Sequence, residues 1–526
     1  MKINLSVFVG LLLIAGSSVS AQSFEEFSIR IEEQVINEFP GIHSFVFGTH
    51  DDYWVIMGGR IDGLHDHRPP FSFDEPGENN NIYVISPISN EVWYTANDDL
   101  PISIREQVGS SNMEFIQIDS NLIIVGGYGY NSAVSDHITF PNLTVVNLPL
   151  LIEQIIADEN ISSSFTQIED ERMAVTGGHL GRNGETLLLA MGQKFDGRYN
   201  PHNGPSFIQE YTNSIRTFTL NLTASPPVIE AYNAITDEDV LHRRDYNMHP
   251  QYDVEGNLFH TGFSGVFQYD ADLPWLDLVH FGVDWYELDT MHLQLLNQYH
   301  TASLPIYSEE PYAMHTLFFG GIGMYYYEDG TLFIDSLVPF TSNVSRMTRT
   351  ADNILEYNMP VEMPGLLGAS AEFIPAPSAP YSNDGILLFN ELNDDELLVG
   401  YVVGGIESDN RNIFMLGGNS WASDKIFKVY IDKTGSLDIN DNKLDSGWSI
   451  FPNPAKDKIT LTFLNQNSNS LSCALYSADG VLQLEQTIAE GQESTVINLP
   501  NNITSGNYYL QCKSSTETYT TKLVVL

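Results

Sequence analysis

The feature that most constrains the fold of this chain is a short apolar run that ends in two adjacent glycines and recurs through most of its length. The glycine pairs are Gly58-Gly59, Gly126-Gly127, Gly177-Gly178, Gly320-Gly321, Gly404-Gly405 and Gly417-Gly418. A degenerate copy, residues 258–263, fills the gap between the third and the fourth. Short apolar runs bounded by turn residues are typical of β-strands, and a residue without Cβ permits a turn with positive φ. The repetition therefore predicts an all-β domain of many short strands.

The repeat resembles the blades of kelch-type β-propellers, in which the double glycine ends the second strand and later aromatic residues pack between blades. Tyr83 and Trp93 follow the first glycine pair in this way. The resemblance covers most of residues 40–432. It implies a kelch-like β-propeller over residues 22–432 with about six blades, and five or seven blades stay open. The alternative is an array of β-sandwiches in which the glycines only mark hairpin turns. It is less favoured, because open sheets leave unpaired edges that a closed propeller limits.

The N-terminus has the layout of a secretory signal peptide. Lys2 supplies a positive charge, residues 11–15 lie in an apolar stretch, and Val19-Ser20-Ala21 is a small-x-small cleavage site. The apolar stretch is too short for a retained membrane helix, and no later stretch reaches the ~18 apolar residues that a spanning helix needs. We therefore predict a signal peptide over residues 1–21 and a mature chain without a transmembrane segment.

The C-terminal part resembles the sorting domain that Bacteroidota append to cargo of the type IX secretion system. The residues that carry this resemblance are Phe451, Pro452, Asn453, Pro454, Gly480, Gly506 and Lys522. Alternation of apolar and polar residues between turn signals predicts a small antiparallel β-sandwich over residues 449–526, after a linker over residues 433–448. The resemblance implies that the type IX secretion machinery is a partner. It places the protein outside the cell or on its outer surface, reached through the periplasm.

The net charge of −45 is concentrated in the larger part of the chain. Residues 22–424 hold 14 basic and 58 acidic residues, a balance of −44, whereas residues 425–526 hold 8 basic and 10 acidic residues, a balance of −2. Such acidity argues against nucleic acid and anionic lipid as partners, since both need a basic surface. It is compatible with calcium, but no calcium-loop motif is present and we identify no cofactor.

The two cysteines, Cys473 and Cys512, both lie in the C-terminal part, on the apolar phase of alternating stretches. A disulfide and two buried free thiols are both open. The larger part has no cysteine. That absence excludes the cysteine-linked tyrosine cofactor of the kelch-type copper-radical oxidases, whose Tyr-His strand Tyr299 and His300 resemble.

The scarce cationic side chains cluster after the glycine pairs, where kelch-like loops surround one mouth of the channel. The candidate ligand-binding residues are Arg60, His65, His67, Arg68, His179, Arg182, Arg198 and Arg243. Guanidinium groups suit carboxylates and sulfates, so an anionic ligand such as an acidic sugar is one interpretation. The alternative is salt bridging to neighbouring Asp and Glu. His65 and His67 lack a third metal ligand at a readable spacing.

Two classes of function are compatible with these patterns. No catalytic motif can be assembled, which favours a non-catalytic binding or adhesion module for carbohydrate, protein or an anionic ligand. The alternative is a secreted carbohydrate-active enzyme whose catalytic residues converge from separate blades. A pair of carboxylates at the channel would favour the enzyme, and an aromatic or Arg-rich mouth without such a pair would favour the binding module.

Overall fold

A computed structural model describes most of the chain between residues 27 and 525. The described ranges are 27–65, 72–199, 207–393, 396–413, 417–433, 448–451, 455–456, 458–463, 470–477, 482–490, 492, 494–500, 503–504, 506–513 and 518–525. The predicted signal peptide, His67, Arg68, most of the linker, Pro452, Asn453, Pro454 and Gly480 lie outside these residues.

The prediction of an all-β chain is confirmed, and the larger part consists of small antiparallel sheets. Strand β1 (Ser28–Gln34) comes first. The first sheet contains β2 (Val46–His50), β3 (Tyr53–Met57), β4 (Asn81–Ser86) and β5 (Glu91–Ala96). The second contains β6 (Glu114–Ile118), β7 (Asn121–Val125), β10 (Asn142–Asn147) and β11 (Phe165–Glu169), with the hairpin β8 (Tyr128–Asn131) and β9 (Asp136–Thr139) inserted.

The third and fourth sheets repeat this order. The third contains β12 (His179–Asn183), β13 (Thr186–Ala190), β16 (Ser214–Asn221) and β17 (Val228–Thr236), with the hairpin β14 (Gln193–Gly197) and β15 (Phe207–Tyr211) inserted. The fourth contains β18 (Asn247–Tyr252), β19 (Leu258–Phe263), β20 (Asp277–Phe281) and β21 (Tyr286–Leu293).

The fifth and sixth sheets depart from the pattern by recruiting distant strands. The fifth contains β22 (Ser303–Ser308), β23 (Ala313–Phe319), β26 (Asn343–Arg349) and β27 (Ile354–Glu362), with the hairpin β24 (Tyr325–Glu328) and β25 (Thr331–Ile334) inserted. Then follow β28 (Leu366–Ala369), β29 (Glu372–Pro375), β30 (Leu387–Leu388), β31 (Glu396–Val403), β32 (Ile406–Ser408), β33 (Ser420–Ala422) and β34 (Ile426–Asp432). The sixth sheet has the order β1-β34-β31-β29, and β30 joins the fifth sheet.

Helices are short and few among the described residues. They are α1 (Ile102–Val108), α2 (Leu148–Ile156) and the 3-10 turns Glu75–Gly77, Asn97–Asp99, Ser162–Ser164, Glu171–Met173 and Phe389–Glu391. No helix of the described residues has the length and apolarity needed to cross a membrane.

Each sheet packs on the next in chain order, and the sixth packs on the first. The interface between the first and second sheets holds Val55, Val84 and Leu122. The interface between the sixth and the first holds Trp54 and Tyr401, whose rings lie 4.8 Å apart. Separate clusters lie between the second and third, third and fourth, fourth and fifth, and fifth and sixth sheets. The apolar core is therefore divided among six interfaces of the described residues.

We call β2, β6, β12, β18, β22 and β29 the first strands of the six sheets, and β3, β7, β13, β19, β23 and β31 the second strands. Hydrogen bonds also join consecutive sheets just before the first strands. The bonds are Asn112 N to Ser44 O (3.1 Å), Thr176 Oγ1 to Asn112 O (3.1 Å), Asp245 N to Gly177 O (2.8 Å), Thr301 N to Asn247 Oδ1 (3.0 Å), Ser370 N to His300 O (2.7 Å) and Ser44 N to Ser370 O (3.0 Å). We call the residues 44, 112, 177, 245, 300 and 370 the neck residues. Each has a positive φ, between 47° and 66°. The start of every first strand is therefore tied to the neighbouring sheet.

The prediction that each glycine pair ends a second strand is confirmed at some copies and wrong at others. Gly58 and Gly126 follow the second strands β3 and β7, as expected. A Cβ at Gly126 would lie 1.9 Å from the carbonyl oxygen of Val175, so the close approach to the next sheet requires glycine. The copy at residues 173–178 is not a second strand, because it leads from a 3-10 turn into the first strand β12. Gly417-Gly418 lies between β32 and β33, not at the end of a second strand.

The C-terminal part forms two antiparallel sheets on a shared core. The strands are β35 (Trp448–Phe451), β36 (Lys458–Phe463), β37 (Leu471–Ser477), β38 (Leu482–Ile488), β39 (Ser494–Asn498), β40 (Gly506–Lys513) and β41 (Thr518–Val525). Cys473 and Cys512 face each other on β37 and β40 and are bonded, so the disulfide alternative is the one the structure contains. Of the predicted sorting residues, Phe451 ends β35, Gly506 begins β40 and Lys522 lies within β41.

We expect the outermost strand of the sixth sheet to be needed for stability. Ile29 is buried on β1 and pairs with Ile431 of β34. Ile29→Asp should lower the free energy of unfolding by more than about 3 kcal/mol, because it places a charge in the core without a partner. Val35→Asp is the matched control, since Val35 follows the same strand but is 72% exposed. Chemical denaturation of both variants checks this, and equal losses would contradict it.

Candidate ligand-binding channel

Two cavities meet at the neck residues. The inner cavity has a volume of about 610 Å³ and is lined by residues of β2, β6, β12, β18, β22 and β29, the first strands of all six sheets. The outer cavity has a volume of about 250 Å³ and is lined by loops that follow the second strands. Ser44, Asn112, Asp245 and His300 line both. The two cavities together are called the channel below.

Five carboxyl groups line the inner cavity, those of Glu114, Asp119, Asp245, Glu372 and Asp384. Glu114 and Glu372 are the first residues of their strands. Glu114 begins β6 and is 4% exposed, and its Oε1 accepts a hydrogen bond from the Gly178 amide at 2.7 Å. Glu372 begins β29. Burial raises the pKa of Glu114 and that of Glu372 to about 8, and the charges of Asp245 and Glu372 contribute to the shift at Glu114. Both carboxyl groups are therefore protonated in most molecules at neutral pH.

Four histidines of the inner cavity are neutral at the same pH. Burial lowers the pKa of His179 and of His260 to about 4 and that of His249 to about 3, and it also lowers the pKa of His300. His249 Nε2 lies 2.7 Å from Ser303 Oγ. These imidazoles and the carboxyl groups of Glu114 and Glu372 can donate and accept hydrogen bonds, and Asp119, Asp245, Asp384 and Arg182 complete the ionisable lining.

Aromatic side chains line both cavities. In the inner cavity Phe47 and Phe115 make an edge-to-face pair with ring centroids 5.2 Å apart. In the outer cavity His65 stacks on Phe73 at 4.2 Å, and Tyr199 meets His65 at 5.5 Å. Such faces suit the apolar CH surfaces of sugar rings as well as other flat ligands.

The predicted cationic residues do not form one cluster. Arg60 and His65 line the outer cavity, and His179 and Arg182 line the inner one. Arg243 lines neither, since it is 1% exposed and pairs with Asp277 at 2.5 Å. The binding role of these residues stays a prediction.

Several of the same guanidinium groups form salt bridges with neighbouring carboxylates, as the alternative interpretation predicts. Arg60 is 3% exposed and pairs with Asp62 at 2.6 Å. Arg198 lies 3.6 Å from Glu75. Arg244, which the sequence analysis did not select, contacts Asp245 and lies 5.0 Å from the ring of Phe267 at the outer cavity. Most of these arginines are therefore paired with an Asp or Glu close to them in the structure.

Sequence reasoning missed Glu114 and Glu372 of the inner cavity. It examined the loops after the glycine pairs, whereas Glu114 and Glu372 begin first strands on the other side of the neck. A signal existed, because Glu-Phe-Ile occurs at residues 114–116 and again at 372–374. A charged residue at the same place in two apolar strands is a departure from alternation that marks a special environment. Among the described residues no group of three or more His, Cys, Asp or Glu could hold a metal ion.

Comparison with known proteins assigns the C-terminal part. Residues 449–526 match the family described as "Secretion system C-terminal sorting domain". The chain therefore carries a type IX secretion sorting domain, which implies export to the cell surface or the extracellular space. No curated protein is significantly similar in sequence to the chain.

Two solved structures that resemble the chain over most of its length do so with low TM-scores. A structure of PorZ, a surface component of the type IX secretion system of Porphyromonas gingivalis, is 10% identical, with 91% of this chain and 75% of that chain covered and a TM-score of 0.15. A family 43 arabinoxylan arabinofuranohydrolase from Bacillus subtilis, in complex with cellotetraose, is 11% identical, with 93% and 92% covered and a TM-score of 0.27. These scores do not define a shared fold.

The buried carboxyl groups predict a particular pH dependence of stability. A carboxyl group with a pKa near 4.3 in the unfolded chain and about 8 in the folded protein binds more protons when folded. The free energy of unfolding therefore falls as the pH rises from about 5 through 8. Glu372→Gln should make this fall smaller by on the order of 1–3 kcal/mol.

Denaturant unfolding at several pH values measures the effect. Glu287→Gln is the control, because Glu287 is exposed on β21. The same fall in the Glu372→Gln and Glu287→Gln variants would refute the assignment of the effect to the inner cavity.

Proposed function

We propose that residues 22–432 form a six-bladed, kelch-like β-propeller that binds carbohydrate outside the cell after export by the type IX secretion machinery. The fold assignment is supported by the order of the six sheets, the apolar cluster between each consecutive pair, and the hydrogen bonds that link the sixth sheet to the first. The pairing of β1 with β34 supports it too, because it brings together the two ends of this part of the chain.

The composition of the inner cavity is the observation that carries the binding proposal. A cavity of about 610 Å³ is within the range of small-molecule sites. The carboxyl groups of Glu114 and Glu372, the neutral imidazoles and the amides offer hydrogen-bond donors and acceptors, while Phe47, Phe115 and Phe373 offer apolar faces. A polyhydroxylated, uncharged ligand matches both properties. An acidic sugar is the second choice, because Arg182 is the guanidinium group that lines this cavity.

We expect the mature, full-length protein to bind neutral oligosaccharides on a glycan array. Glu372→Gln should retain binding within a few-fold, because an amide replaces a protonated carboxyl, whereas Glu372→Ala should weaken it at least tenfold, about 1.4 kcal/mol. Binding by the wild type should weaken above pH 8, when the carboxyls ionise, while binding by the Glu372→Gln variant should weaken less. Titration calorimetry on the array hits measures each effect, and binding that is insensitive both to Glu372→Ala and to the rise in pH would contradict the proposal.

The carboxyl pair also favours an enzyme as a second candidate. Glu114 and Glu372 face one cavity, and the charge of Glu372 contributes to the raised pKa of Glu114. When one of two coupled carboxyls ionises, the other is held protonated, which is the acid and base combination that glycoside hydrolysis uses. A hydrolase would release reducing ends from bound oligosaccharides with a pH optimum near 8, and Glu114→Gln and Glu372→Gln would each abolish the release. Intact oligosaccharide after prolonged incubation would remove this candidate.

Export can be tested separately from binding. Deletion of residues 449–526 should leave the protein in the periplasm, because the sorting domain is the element that the secretion machinery recognises. Fractionation of cells that express the full-length and the truncated chains measures this. Secretion of the truncated chain would contradict the role of this domain.

A further inference from the structure

The connection between β29 and β31 enters the end of the inner cavity that lies away from the neck. Its strand β30 pairs in parallel with the end of β22, Ile306 with Leu387 and Tyr307 with Leu388. β22 is the strand of the fifth sheet that lines the inner cavity. A strand added to that edge extends the fifth sheet into the space of the channel itself. We call residues 376–388 the channel strap.

The tip of the channel strap is a turn that is attached to the two sheets across the cavity. Arg182 of β12 donates from Nη2 to the carbonyl oxygen of Asn383 at 2.5 Å. Tyr252, the last residue of β18, donates from its hydroxyl to Asp384 Oδ2 at 2.8 Å. Residues 382–385 line the inner cavity. The strap thus starts in the sixth sheet, runs beside the fifth, and is fastened to the third and fourth.

The base of the strap is held by buried side chains, whereas its tip is more exposed. Ile386 and Leu387 are fully buried, and the Tyr381 hydroxyl donates to the Val399 carbonyl at 2.7 Å. At the tip, Asn383 and Gly385 are exposed, and a Cβ at Gly385 would meet no atom within 4 Å. The turn itself is closed by the Ser382 amide, which donates to the Ile386 carbonyl at 2.8 Å, and the bonds from Arg182 and Tyr252 attach the tip to the sheets across the cavity.

We propose that the channel strap closes the opening of the channel opposite the aromatic outer cavity, and that Arg182 and Tyr252 are positioning residues that hold it there. Ligands then reach Glu114 and Glu372 through the outer cavity and the neck. The inference rests on the proposed function for the identity of the ligand only, because the path is a property of the fold. A chain-like ligand would enter by its end, so the site would select chain ends over internal segments.

Thiol labelling tests the closure without any ligand. The two natural cysteines are bonded to each other and the described residues contain no free cysteine, so an introduced thiol is a clean reporter. Ser303→Cys reports on the inner cavity and Leu64→Cys on the outer cavity. In the full-length protein, Arg182→Ala combined with Tyr252→Phe should raise the iodoacetamide labelling rate at position 303 about tenfold, since two hydrogen bonds are lost. The rate at position 64 should not change.

A control variant shows whether the change in labelling rate is specific to the loss of the Tyr252 hydroxyl. Tyr307→Phe removes a hydroxyl from the neighbouring ring, whose centroid is 5.0 Å from that of Tyr252, and should leave both labelling rates unchanged. Tyr252→Phe alone, with a smaller rise at position 303, serves if the double variant folds poorly. An unchanged rate at position 303, or an equal rise at positions 303 and 64, would overturn the proposal. Either outcome leaves carbohydrate binding to be judged by calorimetry alone.

Discussion

The hydrogen bonds at the neck, made by the neck residues or by residues within two positions of them, are the constraint on which the rest of the larger part depends. They fix the start of each first strand against the neighbouring sheet, so that six strands face one shared space. Positive φ at Ser44, Asn112, Asp245 and His300 costs about 1 kcal/mol or more for each residue. The six apolar clusters between sheets offset that cost. The same residues line both cavities, so the bonds that hold the sheets together also define the narrow part of the channel.

Desolvation decides the electrostatics of the channel. The chain has a net charge of −45, yet burial raises the pKa of Glu114 and Glu372 in the inner cavity and lowers that of the surrounding histidines. Cationic side chains are scarce, and Arg60, Arg198 and Arg243 already form salt bridges with neighbouring carboxylates. The result is a polar cavity in which Glu114, Glu372 and the four histidines favour their uncharged forms. This contrast favours an uncharged, hydrogen-bonding ligand over a charged one.

Sequence reasoning found the repeating sheets but misplaced some of their boundaries. The glycine pair at 177–178 precedes a first strand, because the chain needs a positive φ at Gly177 for the neck as well as after second strands. The degenerate copy at 258–263 is the second strand of the fourth sheet, β19. Arg182 was selected for its charge, whereas its contact with Asn383 gives it a partner 201 residues away. Local patterns cannot reveal such long-range contacts.

The sequence by itself determined the all-β class, the division between an acidic larger part and a nearly neutral tail, and the sorting domain over residues 449–526. Those properties depend on local periodicity, composition and short motifs, which a linear reading contains in full. Only the tertiary structure decided that Glu114 and Glu372, 258 positions apart in the sequence, share one cavity, and that residues 376–388 cross its end. Both facts arise from the order in which the sheets pack, because packing brings distant strand ends together whatever their spacing along the chain.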